Sequence, residues 1–98
     1  MNDVFKALAD PTRRRVLQIL KAGPRPAGEL SAAFPVSKPT MSAHFSVLKQ
    51  AGLVTTEKSG KSIIYHLNVS VLEEALLGFS EAFGFGRNAV DAPQERPQ

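Results

Sequence analysis

Cysteine is absent from these 98 residues, and histidine occurs only twice, at His44 and His66. The first absence excludes disulfides and thiolate metal sites, and two imidazoles cannot build a cluster of nitrogen ligands within one chain. No cofactor and no metal are therefore expected. Catalysis is equally short of parts. There is no Cys nucleophile, no Ser/His/Asp spacing with a nucleophile elbow, no glycine-rich phosphate cradle and no His/carboxylate set at metal spacing. The expectation is a protein that is not an enzyme. A basic-then-apolar leader is also missing, as is any apolar run near the length needed to cross a bilayer, which reads as a soluble, cytoplasmic chain without membrane insertion.

What is present is a divided charge. Residues 1–67 carry ten Lys/Arg against four Asp/Glu, whereas residues 68–98 carry two against five, so the net +3 understates a basic first part. Such an excess supports a polyanionic partner, yet ordinary solvated surface is also rich in Lys and Arg, so motifs must decide. The length fits one domain that buries about two-thirds of its unfolded surface, and self-association would add useful burial.

The most informative stretch runs from Val36 to Leu67. In Val36-Ser37-Lys38-Pro39-Thr40-Met41 the Ser37 hydroxyl can cap a helix, with Val36 and Met41 at the positions of a hydrophobic staple. Met41, Phe45 and Leu48 then recur at i, i+4, i+7, which predicts a helix from Ser37 through Ala51 with Lys38, Ser42, Ala43, Ser46 and Lys49 on its uncovered side. Gly52 stops it. Leu53 and Val54 begin a strand through Lys58, and Lys61 to Leu67 returns as its partner across a turn at Ser59 and Gly60.

Upstream, Val4, Phe5 and Leu8 at helical spacing predict a short first helix. Asp10 caps a second that carries Val16, Leu17, Ile19 and Leu20 inward and stops at Gly23-Pro24. Ala27 to Phe34 is a third helix, with Leu30, Ala33 and Phe34 inward, and about three residues separate it from the fourth, the spacing of a helix-turn-helix. Ser70 caps a last helix whose Val71, Leu72, Ala75, Leu76, Phe79 and Phe83 form a broader apolar stripe than a small monomer needs to cover. That surplus calls for a second chain. The expected fold class is mainly α with a small β-hairpin: a winged helix-turn-helix, four helices, the two-strand wing and a fifth helix. It occupies residues 1–83, and residues 84–98 read as a loose tail.

The runs Phe5-Lys6-Ala7-Leu8-Ala9-Asp10-Pro11-Thr12-Arg13, Gly28-Glu29-Leu30, Ser37 through Lys49, Ala51-Gly52-Leu53-Val54 and Gly60-Lys61 with Tyr65 and Leu67 resemble the ArsR family of bacterial winged-helix repressors over residues 3–83. Within that family the chain looks most like the small autorepressor-type members without a metal site. The resemblance implies a homodimer joined by its first and last helices, which places Val4, Phe5, Leu8, Leu72, Ala75, Leu76, Phe79 and Phe83 at the interface. It also implies a palindromic operator in double-stranded DNA, released by a small-molecule inducer or a sequestering protein. Two departures argue against metal sensing. Metal-sensing members carry a Cys-x-Cys-type motif on the third helix, where Glu29 to Phe34 has no thiol; others use His and acidic residues on the last helix, which here has Glu73, Glu74 and Glu81 but no His.

Residue roles follow from position. Lys38, Thr40, Ser42 and Ala43, with Ser46 on the same side, lie where a reading helix reaches base edges in a major groove. Lys49, Lys58 and Lys61 are candidates for phosphate contact, and Ser59 with Gly60 chiefly makes the turn. His44, beside Met41, Phe45 and Leu48, is expected to be half-buried, hydrogen-bonded locally or touching a phosphate. His66 alternates with Tyr65 and Leu67 and belongs on the outer face of its strand. Arg13, Arg14 and Arg15 must spread over different helix faces, with Arg13 structural and Arg14 or Arg15 able to meet phosphate. A winged module that docks a protein instead of DNA is the alternative, and the basic wing argues against it.

Overall fold

A computed structural model describes residues 2–84, and the expected tail over 85–98 lies outside them. The order is α1 (Asn2–Leu8), α2 (Pro11–Lys21), β1 (Arg25–Pro26), α3 (Ala27–Ala32), α4 (Lys38–Gln50), β2 (Val54–Ser59), β3 (Ser62–Leu67) and α5 (Val69–Phe83). This is the winged helix-turn-helix, with one strand more than expected.

Each boundary has a local cause. Asp10, in extended backbone, accepts the Arg13 N–H at 3.1 Å, and Pro11 opens α2 where no N–H is needed. α3 ends at Ala32 rather than Phe34, because the proline at 35 disfavours helical backbone in the residue before it. Its last turn closes tightly instead, Ala33 N–H to Leu30 O and Phe34 N–H to Ser31 O. Ala33 is consequently exposed rather than inward, Phe34 is half-buried, and five residues rather than three separate α3 from α4.

The additional strand is β1, which pairs antiparallel with β3 through Arg25↔Tyr65 and Pro26↔Ile64 and makes a three-stranded sheet in the order β1-β3-β2. Two residues carry no readable period, and Pro26 is tolerated because β1 is an edge. The hairpin closes with Ser59↔Ser62, so the loop is Gly60–Lys61, one residue later than expected. Gly60 has φ +61°, the positive value that the first loop position of a type II′ hairpin turn takes. Asn68, not Ser70, precedes α5; its N–H is already held by Leu53 O at 2.8 Å, so the chain passes from β3 into the helix without a side-chain cap.

The core draws on every helix: Val4 and Ala7 from α1, Val16, Leu17 and Leu20 from α2, Leu30 from α3, Met41, Phe45 and Leu48 from α4, and Ala75 from α5. Leu53, Val54 and Tyr65 close it from the sheet side, with the Phe45 and Tyr65 rings 4.7 Å apart. Ile19 is half-buried and packs against this cluster.

Asp10 makes a first prediction. Burial works to raise its carboxyl, but the Arg13 N–H, the nearby His44, the Thr12 N–H and the Arg13 charge outweigh that and hold it below 3.8. A lowered folded value means that the stabilisation is present above 3.8 and is lost as pH falls through the folded value. Asp10→Ala also removes the α2 cap, and that loss should cost about 1 kcal/mol near neutrality. Urea unfolding in acid well below the unfolded value should show the gap to the parent protein narrowing.

Candidate nucleic-acid interface

α4 starts where Ser37, in extended backbone, turns its hydroxyl onto Thr40. Its Oγ accepts the Thr40 N–H at 3.3 Å and donates to Thr40 Oγ1 at 2.9 Å, so the cap fixes the Thr40 hydroxyl as well as the helix end. Val36 packs against the core cluster to which Met41 belongs, in keeping with a staple. The helix then runs for 13 residues with Met41, Phe45 and Leu48 buried. Lys38, Thr40, Ser42, Ala43, Ser46 and Lys49 are all exposed.

The end of α4 is as well defined as its start. Gly52 adopts φ +76°, its N–H bonds to Lys49 O at 2.9 Å and the Leu53 N–H bonds to Leu48 O at 3.1 Å, which together form a Schellman ending. Leu53 and Leu48 are both fully buried there. The wing starts one residue later. Its inner end is anchored by Val54 and Tyr65, while Lys58, Ser59, Gly60 and Lys61 form an exposed tip. All nine residues expected at the DNA-facing surface are thus solvent-facing on two elements joined by a rigid corner.

The electrostatics of this stretch are one-sided. Between Val36 and Leu67 the lysines are 38, 49, 58 and 61, and the one acid is Glu57. Glu57 Oε1 lies 2.8 Å from His66 Nε2 across the hairpin, so its charge is engaged with a neighbour. This places His66 on the outer face as expected, half-buried and paired.

The arginine run divides as geometry requires. Arg13 places its guanidinium on Ala7 O (2.9 Å), Lys6 O (2.8 Å) and His44 Nδ1 (3.1 Å). Arg14 reaches Leu8 O at 2.7 Å, and Arg15 is exposed. Two cationic side chains therefore cover the last carbonyls of α1, where a helix dipole favours positive charge. His44 is half-buried as expected, but its partners Arg13 and Asp10 are distant in sequence rather than local. The bond from Arg13 to His44 joins residues 31 apart in sequence, and no spacing announces it.

A second surface lies on α1 and α5. Val4 and Ala75 are buried inside the protomer, and Leu8 and Leu72 are half-buried against its core. Leu76 (47 % exposed), Phe79 and Phe83 (63 %) face outward, joined by Leu77 (58 %), which the apolar stripe did not include. Phe5 and Phe79 are 5.4 Å apart between ring centres, and Phe79 and Phe83 are 4.9 Å apart, so α1 and α5 present one continuous aromatic ridge. Among the described residues no helix is long and apolar enough to cross a membrane.

This arrangement has counterparts. A helix-turn-helix domain family matches residues 8–57. The transcriptional repressor SdpR of Bacillus subtilis is 45 % identical over 76 residues, covering 78 % of this chain and 84 % of that protein. An arsenical resistance operon repressor of Staphylococcus xylosus is 37 % identical over 73 residues, covering 74 % and 70 %. Among solved structures, an ArsR family transcriptional regulator superposes with a TM-score of 0.78 at 30 % identity, covering 88 % of this chain and 94 % of that one. A possible transcriptional regulator for arsenical resistance gives 0.72 at 36 % identity, covering 89 % and 93 %.

Proposed function

The chain belongs to the ArsR family of helix-turn-helix transcriptional repressors, and on that premise we propose that it works as a homodimer on an imperfect palindrome, without catalysis, in the cytoplasm. In this reading α1 and α5 of two copies meet along Phe5, Leu76, Phe79 and Phe83. Each protomer presents one α4 to a major groove, the two about one helical turn apart, roughly 34 Å. Lys38, Thr40, Ser42, Ala43 and Ser46 reach base edges, and Lys49, Lys58, Ser59 and Lys61 hold phosphates. The observation that carries the reading is the unbroken exposure of those nine side chains on two rigidly joined elements whose one acid is already paired.

Release is read as independent of thiophilic metals. Arsenicals and mercurials are held by thiolates, and these 98 residues contain none. An inducer or a sequestering protein fits better.

Selection of bound sequences from a random duplex library with the purified protein tests the proposal. The expected product is an inverted repeat with half-sites about 10 base pairs apart, centre to centre. No enrichment at low salt would defeat it. Lys61→Ala, at the tip of the wing, should weaken all duplexes alike and reduce the slope of log affinity against log salt by about one unit. An unchanged slope would remove Lys61 from the phosphate contacts.

A further inference from the structure

The junction of Asp10, Arg13 and His44 lies behind the DNA-facing side of α4. Arg13 has its Nε and Nη2 committed to Ala7 O and Lys6 O of α1, and its planar fork leaves Nη1 aimed at His44 Nδ1, 3.1 Å away. A guanidinium only donates, so Nδ1 accepts and the ring hydrogen sits on Nε2. That atom faces Asp10 Oδ2 at 3.8 Å, and the same oxygen accepts the Arg13 N–H. Three helices thus meet at one polar ring, in which the His44 side chain is 14 % exposed.

The other side chains that attach α4 to the body of the protein act in a different way. Met41, Phe45 and Leu48 hold it to the core by apolar contact, which is strong but non-directional. A hydrogen bond fixes direction. From this we infer that Arg13 and His44 are positioning residues for DNA reading: their bond sets the roll of α4 about its own axis relative to α1 and α2. The inference rests on the proposed role of α4 as the reading helix.

The lever is short and the tolerance small. With side chains about 5 Å from the helix axis, a roll of about 10° displaces Ser42, Ala43 and Ser46 by about 1 Å. A base contact made by a short hydroxyl does not survive such a shift, because hydrogen bonds lose strength steeply away from their optimal geometry. Lysines reaching phosphates on flexible four-carbon stems do survive it. Loosening the bond should therefore erode discrimination between sequences and leave the electrostatic grip intact.

The test compares affinity for the selected duplex with affinity for a scrambled one across a salt series. His44→Leu, which removes the acceptor at similar bulk, should lower the specific-to-scrambled ratio by about 10-fold, the size expected for one charged hydrogen bond, with an unchanged salt slope. In His44→Asn the amide oxygen takes the place of Nδ1, and the ratio should return to within about twofold of the parent. Arg13→Lys, which cannot span the three acceptors, should resemble His44→Leu, and the double variant should be no worse than either single one. Should His44→Leu fail to fold, Arg13→Lys against His44→Asn carries the comparison. Proportional loss on both duplexes would mean support of the fold alone and would overturn the inference, as would His44→Leu with full discrimination or His44→Asn without it. A parent protein that prefers no duplex at all would instead defeat the reading of α4, and this inference with it.

Discussion

Leu76→Glu is expected to convert the protein into a monomer with operator affinity lowered by more than about 100-fold, because a lone protomer loses the linkage that makes its second half-site encounter intramolecular. Leu76 is half-exposed in the protomer, so the substitution leaves the core of its own chain intact. In an interface related by a two-fold axis the substitution enters from both copies, so two carboxylates would be buried there without partners. Glu73, Glu74 and Glu81 are already on the same helix, so the added charges meet further acids. Sedimentation velocity reads the mass and a gel shift on the selected duplex reads the affinity. A dimer binding as tightly as the parent would show that this face is not where two copies meet.

Leu48→Ala should be severely destabilising, costing about 2–5 kcal/mol of a total that for a domain of this kind is about 5–15 kcal/mol. Leu48 is fully buried, and its carbonyl accepts the Leu53 N–H at the corner between α4 and the wing. A cavity there unseats α4 and the entrance to β2 together. The neighbouring exposed Lys49→Ala serves as the control and should stay within about 0.5 kcal/mol of the parent in urea unfolding. If the two variants unfolded at the same midpoint, the core would not be organised around Leu48.

Sequence and structure part company in an instructive way. Where a signal is local it was legible: the Ser37 hydroxyl, the Asp10 cap, the Met41-Phe45-Leu48 stripe and the stop at Gly52 each act within four residues of their own position. Readings failed where a distant partner decided. β1 exists because β3 offers it an edge, and two residues hold no pattern. Ser70 had the chemistry of a cap, but Asn68 was already bound to Leu53 O, which set the start of α5 two residues earlier. Val4 shares helical spacing with Phe5 and Leu8, yet the placement of α1 against α4 turned Val4 into the core and left Phe5 beside Phe79. The exposure of the nine candidate residues is readable because it follows from period on a capped amphipathic helix and from position at a hairpin tip. The tie between Arg13 and His44 is not, since it depends on how three helices meet.

Leu53 holds both ends of its peptide neighbourhood: its N–H closes the exit of α4 on Leu48 O, and its own carbonyl takes the Asn68 N–H at the threshold of α5. The root of the fifth helix and the exit of the fourth are therefore pinned to one shared residue, across the whole length of the intervening hairpin.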